Sequence, residues 1–126
     1  MTQVMNVKVK YIRPEYNNLC DWMDDINNEY IGRGGVVFVD KQRFPKMASI
    51  WANPYKIGKD GDRESVLNKY RTYIQTKVKN DPLLVESLLK LKNKKLGCWC
   101  YPERCHGDIL LELIEYFESH RKVVEA

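Results

Sequence analysis

The stretch Leu96-Gly97-Cys98-Trp99-Cys100-Tyr101-Pro102-Glu103-Arg104-Cys105-His106-Gly107-Asp108 constrains the fold most, because the pattern of the chain changes twice within it. Leu96 to Cys100 is a short apolar run after the basic Lys92-Asn93-Lys94-Lys95, the pattern of a buried strand entered from a solvated loop. Tyr101 and Pro102 break it. From Ile109 to Phe117 the residues Ile109, Leu110, Leu113, Ile114 and Phe117 recur at three- and four-residue spacing, which predicts an amphipathic helix with Cys105, His106, Gly107 and Asp108 in its first turn. Strand, short loop and helix N-terminus together gather unpaired backbone N–H groups and the positive end of a helix dipole, a place suited to a phosphate or carboxylate. The same place lowers the pKa of a thiol, so Cys105 is the expected reactive cysteine.

The rest of the chain reads as scaffold for this stretch or as the opposite wall of one site. Its 126 residues suffice for one domain with a core that needs no disulfide, and 44% hydrophobic with 30% charged residues is the balance of a soluble globular protein. No apolar run is long enough to span a membrane and the start Met1-Thr2-Gln3 lacks a signal-peptide pattern, so a cytoplasmic location is expected. There, clustered cysteines are more often buried, metal-bound or reactive than paired. The net charge of +4 suits a small phosphorylated ligand and leaves nucleic acid open as a partner.

Val4 to Ile12 is rich in β-branched residues and predicts a first strand ended by Arg13-Pro14. Asn17 or Asn18 can cap a helix with Leu19, Trp22, Met23 and Ile26 on its apolar face, beside which Cys20 is a small core neighbour. Tyr30 and Ile31 end a short strand, and Gly32, Gly34 and Gly35 let the backbone turn sharply or approach a ligand around Arg33, whose guanidinium can fork onto a phosphate. Val36 to Ser49 reads as an inserted loop or hairpin. Asn53, held out of the α region by Pro54, can read a ribose or base, or can cap its own turn. Asp60, Asp62 and Arg63 can bind phosphate or metal, while Asp62 alone is the N-cap of a helix carrying Val66, Leu67, Tyr70, Tyr73, Ile74 and Val78 inward. Asp81-Pro82 opens another helix, with Leu84, Val85, Leu88, Leu89 and Leu91 buried.

Helices between strands predict a single α/β domain over residues 1–126, a small Rossmann-like sandwich with a mostly parallel sheet, helices on both faces and a charged tail at 120–126. Ligand sites in such sheets lie beyond the carboxyl ends of the strands, where the Gly-Arg turn and the Cys-His loop both fall.

Tyr30-Ile31-Gly32-Arg33, Asn53-Pro54, Gly58, Asp60-Gly61, Arg63, Tyr70, Leu96-Gly97-Cys98-Trp99-Cys100 and Cys105-His106-Gly107-Asp108 together resemble the domain of unknown function 4326 family, met in phages, large DNA viruses and bacteria. The resemblance covers residues 30–114 and implies a compact α/β domain with a polar pocket and a viral or mobile-element origin, without implying a reaction. The passage from the Gly-Arg turn to Asn-Pro is longer here than is usual in the family, by the segment 36–49.

Three functions fit these residues. In the first, a nucleotide-processing hydrolase or N-glycosidase holds a phosphorylated nucleoside with Tyr30, Gly32, Arg33, Asn53, Asp60, Arg63 and Gly107, stacks it on Trp51 or Trp99, and uses Asp108, His106 or Cys105 in catalysis. The second is a nucleotide-binding or sequestering protein with the same pocket and no turnover. The third is a zinc module on Cys98, Cys100 and Cys105, against which the compressed spacing counts; apart from that, no cofactor is expected. Packing alone also explains Cys98 and Cys100, and backbone bonding or dipole complementarity also explains His106 and Asp108. No nucleophile elbow, Walker lysine motif or Ser-His-Asp order is present.

Overall fold

A computed structural model describes residues 2–125, with side chains as far as His120. The apolar run at Leu96 forms the middle strand, β5 (Lys95–Cys98), of a three-stranded sheet. On either side it pairs in parallel with β1 (Gln3–Asn6) and β2 (Asn28–Tyr30), so that Gly97 sits level with Met5 and Tyr30. Alternation along the strands divides the core. Val4, Leu96 and Cys98 face one layer, built from α3 (Arg63–Lys79), α4 (Pro82–Leu89) and α5 (His106–Glu125). Met5 and Tyr30 face the other, which holds α1 (Val9–Ile12) and α2 (Leu19–Asp24) around the buried Val7, Ile12, Leu19 and Trp22. The expectation of an α/β fold with a parallel sheet is met, with few strands.

The first strand is shorter than its β-branched residues suggest. It ends at Asn6 because β5 ends opposite it at Cys98 and because the Asn6 side chain turns the chain there. Its Oδ1 accepts from the Lys8 N–H at 2.9 Å, while its Nδ2 donates to the Trp99 and Tyr101 carbonyls at 3.3 and 2.9 Å. Val9–Ile12 is instead a single helical turn. Asn18 caps α2 through the Asp21 N–H at 2.9 Å, but the helix closes at Asp24, and Ile26 is 82% exposed rather than part of the apolar face.

The expected caps of the longer helices are present. Asp62 accepts from the Ser65 N–H, and Asp81 from Leu83 and Leu84 ahead of Pro82. Val66, Leu67, Tyr70, Ile74 and Val78 are buried on α3, with Leu88 and Leu91 beside them. Leu84 and Val85 are half-buried. The backbone of α5 continues through Glu125 into the charged stretch 120–126, whose side chains beyond His120 lie outside the described ones.

Segment 36–49 is a hairpin of β3 (Val37–Val39) and β4 (Gln42–Phe44), paired antiparallel and separate from the parallel sheet. Asp40 and Lys41 link the strands with φ of 51° and 67°, the two left-handed residues of a type I′ turn. The hairpin is tied down at its base, where the Gly35 N–H donates to the Pro45 carbonyl and the Ser49 N–H to the Gly32 carbonyl. At Gly34 a Cβ would come within 2.8 Å of the Met47 backbone, so only glycine permits this close approach.

Candidate functional site

Beyond the carboxyl ends of β2 and β5, against the start of α5, lies a cleft of about 400 Å³. Gly32, Arg33, Asn53, Arg63, Trp99, Cys100, Cys105 and His106 line it, so three loops far apart in sequence meet there. Tyr55, Lys56 and Arg104 also line it, and sequence reasoning passed over them. The signal for Lys56 and Arg104 was the recurrence of a cation beside each loop that carries a motif.

Arg33, Lys56, Arg63 and Arg104 are the charged residues of the lining, which contains no Asp or Glu. Arg63 and Arg104 lean on rim carboxylates, Glu103 at 3.6 Å and Glu64 at 2.9 Å, in exposed pairs that an incoming anion can replace at small cost. Arg63 is further held by a 2.8 Å bond from its Nη1 to the Arg104 carbonyl, and Arg33 by a 3.1 Å bond to the Tyr55 carbonyl.

Tyr30 supports this wall from below. Burial raises its pKa and keeps the hydroxyl protonated; it donates to the Arg33 carbonyl at 2.6 Å and accepts from Trp99 Nε1 at 2.8 Å. The two rings meet edge to face at 6.4 Å. A Cβ on Gly32 would lie 2.5 Å from the same hydroxyl, so this glycine is required by close packing. Asn53 adopts the turn-capping role, its Oδ1 accepting from the Tyr55 N–H at 2.9 Å, while the residue still borders the cleft.

His106 is half-buried, edge-on to the Tyr70 ring at 5.2 Å. Its Nε2 lies 2.7 Å from the Ile31 carbonyl, and since a carbonyl only accepts, that contact requires Nε2–H and leaves the lone pair on Nδ1. Burial, more than any neighbouring charge, lowers its pKa and keeps it neutral. The unfolded chain therefore takes up this proton more readily than the folded one, and stability contributed above about pH 6.5 is lost as pH falls from there towards the depressed folded value. Urea midpoints measured between pH 7.5 and 5 should fall in the native protein and fall less in His106→Gln; equal pH dependence in both would show that burial does not hold the imidazole neutral.

Other expected site residues take structural places. Trp51 is 2% exposed, its carbonyl accepting from the Tyr70 hydroxyl, so it lies in the core and offers no stacking face. Asp60 lies outside the cleft lining and accepts from the Lys56 N–H in the preceding turn. Asp108 reaches back to the Cys105 N–H at 3.0 Å, the half of a capping box that satisfies an orphan donor. Gly107 is buried against Ile31 and Val4, and its N–H is directed to Cys105 Sγ at 3.4 Å. The Cys105, Gly107 and Asp108 N–H groups at the helix start are thus bound within the chain.

The expectation for Cys105 is reversed. Its thiol is buried and donates to Cys98 Sγ at 3.4 Å, and that bond together with burial raises its pKa despite the helix N-terminus. Cys98 is the lowered partner, at about 7, held there by the Cys105 thiol and by the N–H groups of Tyr101 and Cys100. Neither spacing nor periodicity shows which sulfur accepts. Among the described residues no group of three or more metal-ligating side chains comes together, Cys98, Cys100 and Cys105 included.

Residues 17–116 match the family described as Domain of unknown function (DUF4326). The chain belongs to the DUF4326 family. The match begins before Asn18 and takes in the α2 helix as well as the expected core of 30–114. An uncharacterized protein R718 of Acanthamoeba polyphaga mimivirus is 31% identical, covering 95% of this chain and 86% of its own length. An uncharacterized 12.4 kDa protein in the nrdA-td intergenic region of Enterobacteria phage T4 is 31% identical over 52% of the chain, which spans 60% of that relative. Both similar chains are viral, in line with the origin that the family resemblance implies. No solved structure matches. Among the described residues no helix is long and apolar enough to cross a membrane.

Proposed function

We propose that this DUF4326 protein binds a phosphorylated nucleoside-like ligand in the cleft beside Trp99, in the cytoplasm of a host cell. The observation that carries the reading is the lining itself: four cations, no carboxylate and one fixed indole within a space of about 400 Å³. The volume is that of a pocket for one small ligand, roughly 300–1,000 Å³. Arg33 and Arg63 suit the phosphate, Trp99 the base, and the Asn53 amide the sugar. A site beyond the carboxyl ends of parallel strands is also the Rossmann-like arrangement, which on this reading the small sheet shares.

A binding protein fits this lining better than an N-glycosidase or carboxylate-dependent hydrolase, because Asp108 is engaged as a cap and no acid borders the cleft. One observation favours turnover as the second reading: His106 borders the cleft and keeps its lone pair on Nδ1, a candidate base.

Calorimetric titration of nucleosides and their mono-, di- and triphosphates separates these. Phosphorylated compounds should bind and unphosphorylated ones should not, and Arg33→Ala should weaken binding about tenfold or more, the loss of a charge-assisted bond worth roughly 1.5–3 kcal/mol. Equal affinity for nucleoside and nucleotide, or an unaffected Arg33→Ala, would overturn the placement. Product formation that vanishes in His106→Gln would move the protein to the catalytic reading.

A further inference from the structure

Trp99 borders a second cleft as well as the first. This second cleft has about 380 Å³ and is bordered by Val7, Lys8, Lys10, Leu19, Phe38 and Trp99 among others. Its lining again contains lysines and no Asp or Glu. The hairpin joins the two spaces: Val36 borders the first, and Val37, Phe38 and Val39 border the second. Trp99 is therefore common to both, and the chain passes from one to the other where it enters β3.

We infer that the two clefts form one track for single-stranded nucleic acid, with the strand passing Trp99 so that neighbouring nucleotides occupy the two clefts. The inference rests on the proposed nucleotide reading of the first cleft and extends it, since the ligand becomes a nucleotide within a chain. Charge complementarity carries the argument. Arg33, Lys56, Arg63 and Arg104 in the first cleft are joined by Lys8 and Lys10 in the second, and a ligand with a single phosphate group would leave the second pair without a counterpart. Repeated phosphates spaced by bases match both the repeated cations and the intervening aromatic face.

The indole is prepared for this. Its Nε1 is bound by the Tyr30 hydroxyl, and the Trp99 and Tyr101 carbonyls on either side of the next turn are both held by Asn6 Nδ2. A base can then stack without first ordering the ring, which removes part of the entropy cost of binding. The exposed Phe38, 67% accessible with the Arg43 guanidinium 4.9 Å from its ring centre, supplies a second aromatic edge on the hairpin. Stacking is sequence-tolerant and phosphate contacts are sequence-blind, so weak dependence on base identity follows.

The test uses the full chain and tryptophan emission. Trp22 and Trp51 are 0% and 2% exposed, so quenching by a bound base reports on Trp99. Thymidine and uridine monophosphates, the corresponding single-stranded octanucleotides, and an octaglutamate peptide are titrated at several salt concentrations. At least one octanucleotide should bind about tenfold or more tighter than its mononucleotide, the lower range for adding a stacked, phosphate-linked base. Whether the deoxyribose or ribose strand does so identifies the nucleic acid. In the Lys8→Ala/Lys10→Ala variant, whose substitutions are at exposed positions, that advantage should collapse and the slope of log affinity on log salt should become shallower by about 1.4, from about 0.7 for each lost phosphate contact.

Octanucleotides that bind no tighter than mononucleotides would overturn the track and leave the nucleotide pocket in place. So would an unchanged advantage in the double variant, or equal binding by octaglutamate, which would reduce the surface to general charge attraction. No binding by any nucleotide would overturn both readings.

Discussion

Gly97→Ala should lower the stability of this protein by about 3 kcal/mol, the upper part of the usual range for overpacking, and its thermal midpoint by about 10 °C. Gly97 lies on the middle strand, with the sheet level on both sides occupied by Met5 and Tyr30. A Cβ there would meet Trp22 Cη2 at 2.5 Å, Val7 Cγ1 at 2.6 Å and Trp22 Cζ3 at 2.7 Å, all well inside van der Waals contact. Neither neighbour can swing into solvent, because Trp22 is 0% and Val7 1% exposed. The strain has to be taken by the β5 backbone or by the seat of α2, and both are packed to interior density. Urea and thermal unfolding of the variant measure the loss. Trp22→Phe removes the outer ring atoms that collide, so the Gly97→Ala/Trp22→Phe protein should lose less than the sum of the two single losses. Unchanged midpoints in Gly97→Ala would mean that α2 does not pack on this face of the sheet.

Tyr30→Phe should cost about 2 kcal/mol and at the same time loosen the cleft. The missing hydroxyl leaves two partners without their bond, the Arg33 carbonyl and Trp99 Nε1, and deprivation of part-buried polar groups carries a penalty of roughly 1–3 kcal/mol. Truncation of a merely space-filling tyrosine would cost less and would leave Trp99 as it was. The distinguishing readout is the emission of Trp99, which should shift when its N–H turns to solvent, together with about tenfold weaker nucleotide binding from the freed Gly-Arg turn. A Tyr30→Phe protein with native emission and native affinity would show that the Tyr30 hydroxyl does not organise the site.

Much of the scaffold was legible because it depends on local rules. Asp62, Asp81 and Asn18 announce helix starts by a side chain that accepts from its own next turn, and each does so. The three- and four-residue spacing in α3 and α5 placed Leu67, Ile74, Ile109 and Leu110 in the core for the same reason. Local propensity misled where a partner sets the limit: the β-branched run from Val4 continues past the point at which β5 stops, so the strand ends at Asn6.

The amino-acid sequence by itself determined the α/β class, the strand, loop and helix order around Leu96–Asp108, and the family to which the chain belongs. Periodicity, caps and motif spacing are local, and all of them are present before the chain folds. Tertiary structure alone decided which side chains of the motifs are spent on the fold and which remain at the surface of the cleft. Asp108 is consumed by the Cys105 N–H and Trp51 by the core, whereas Arg33, Arg63, Trp99 and His106 are brought together with Lys56 and Arg104 from loops that are distant along the chain. The direction of proton sharing between Cys98 and Cys105, and the nitrogen of His106 that keeps its lone pair, depend on contacts of a few ångströms across the parallel sheet and the start of α5. Such contacts have no signature in spacing, because they arise only when β2, β5 and α5 have packed.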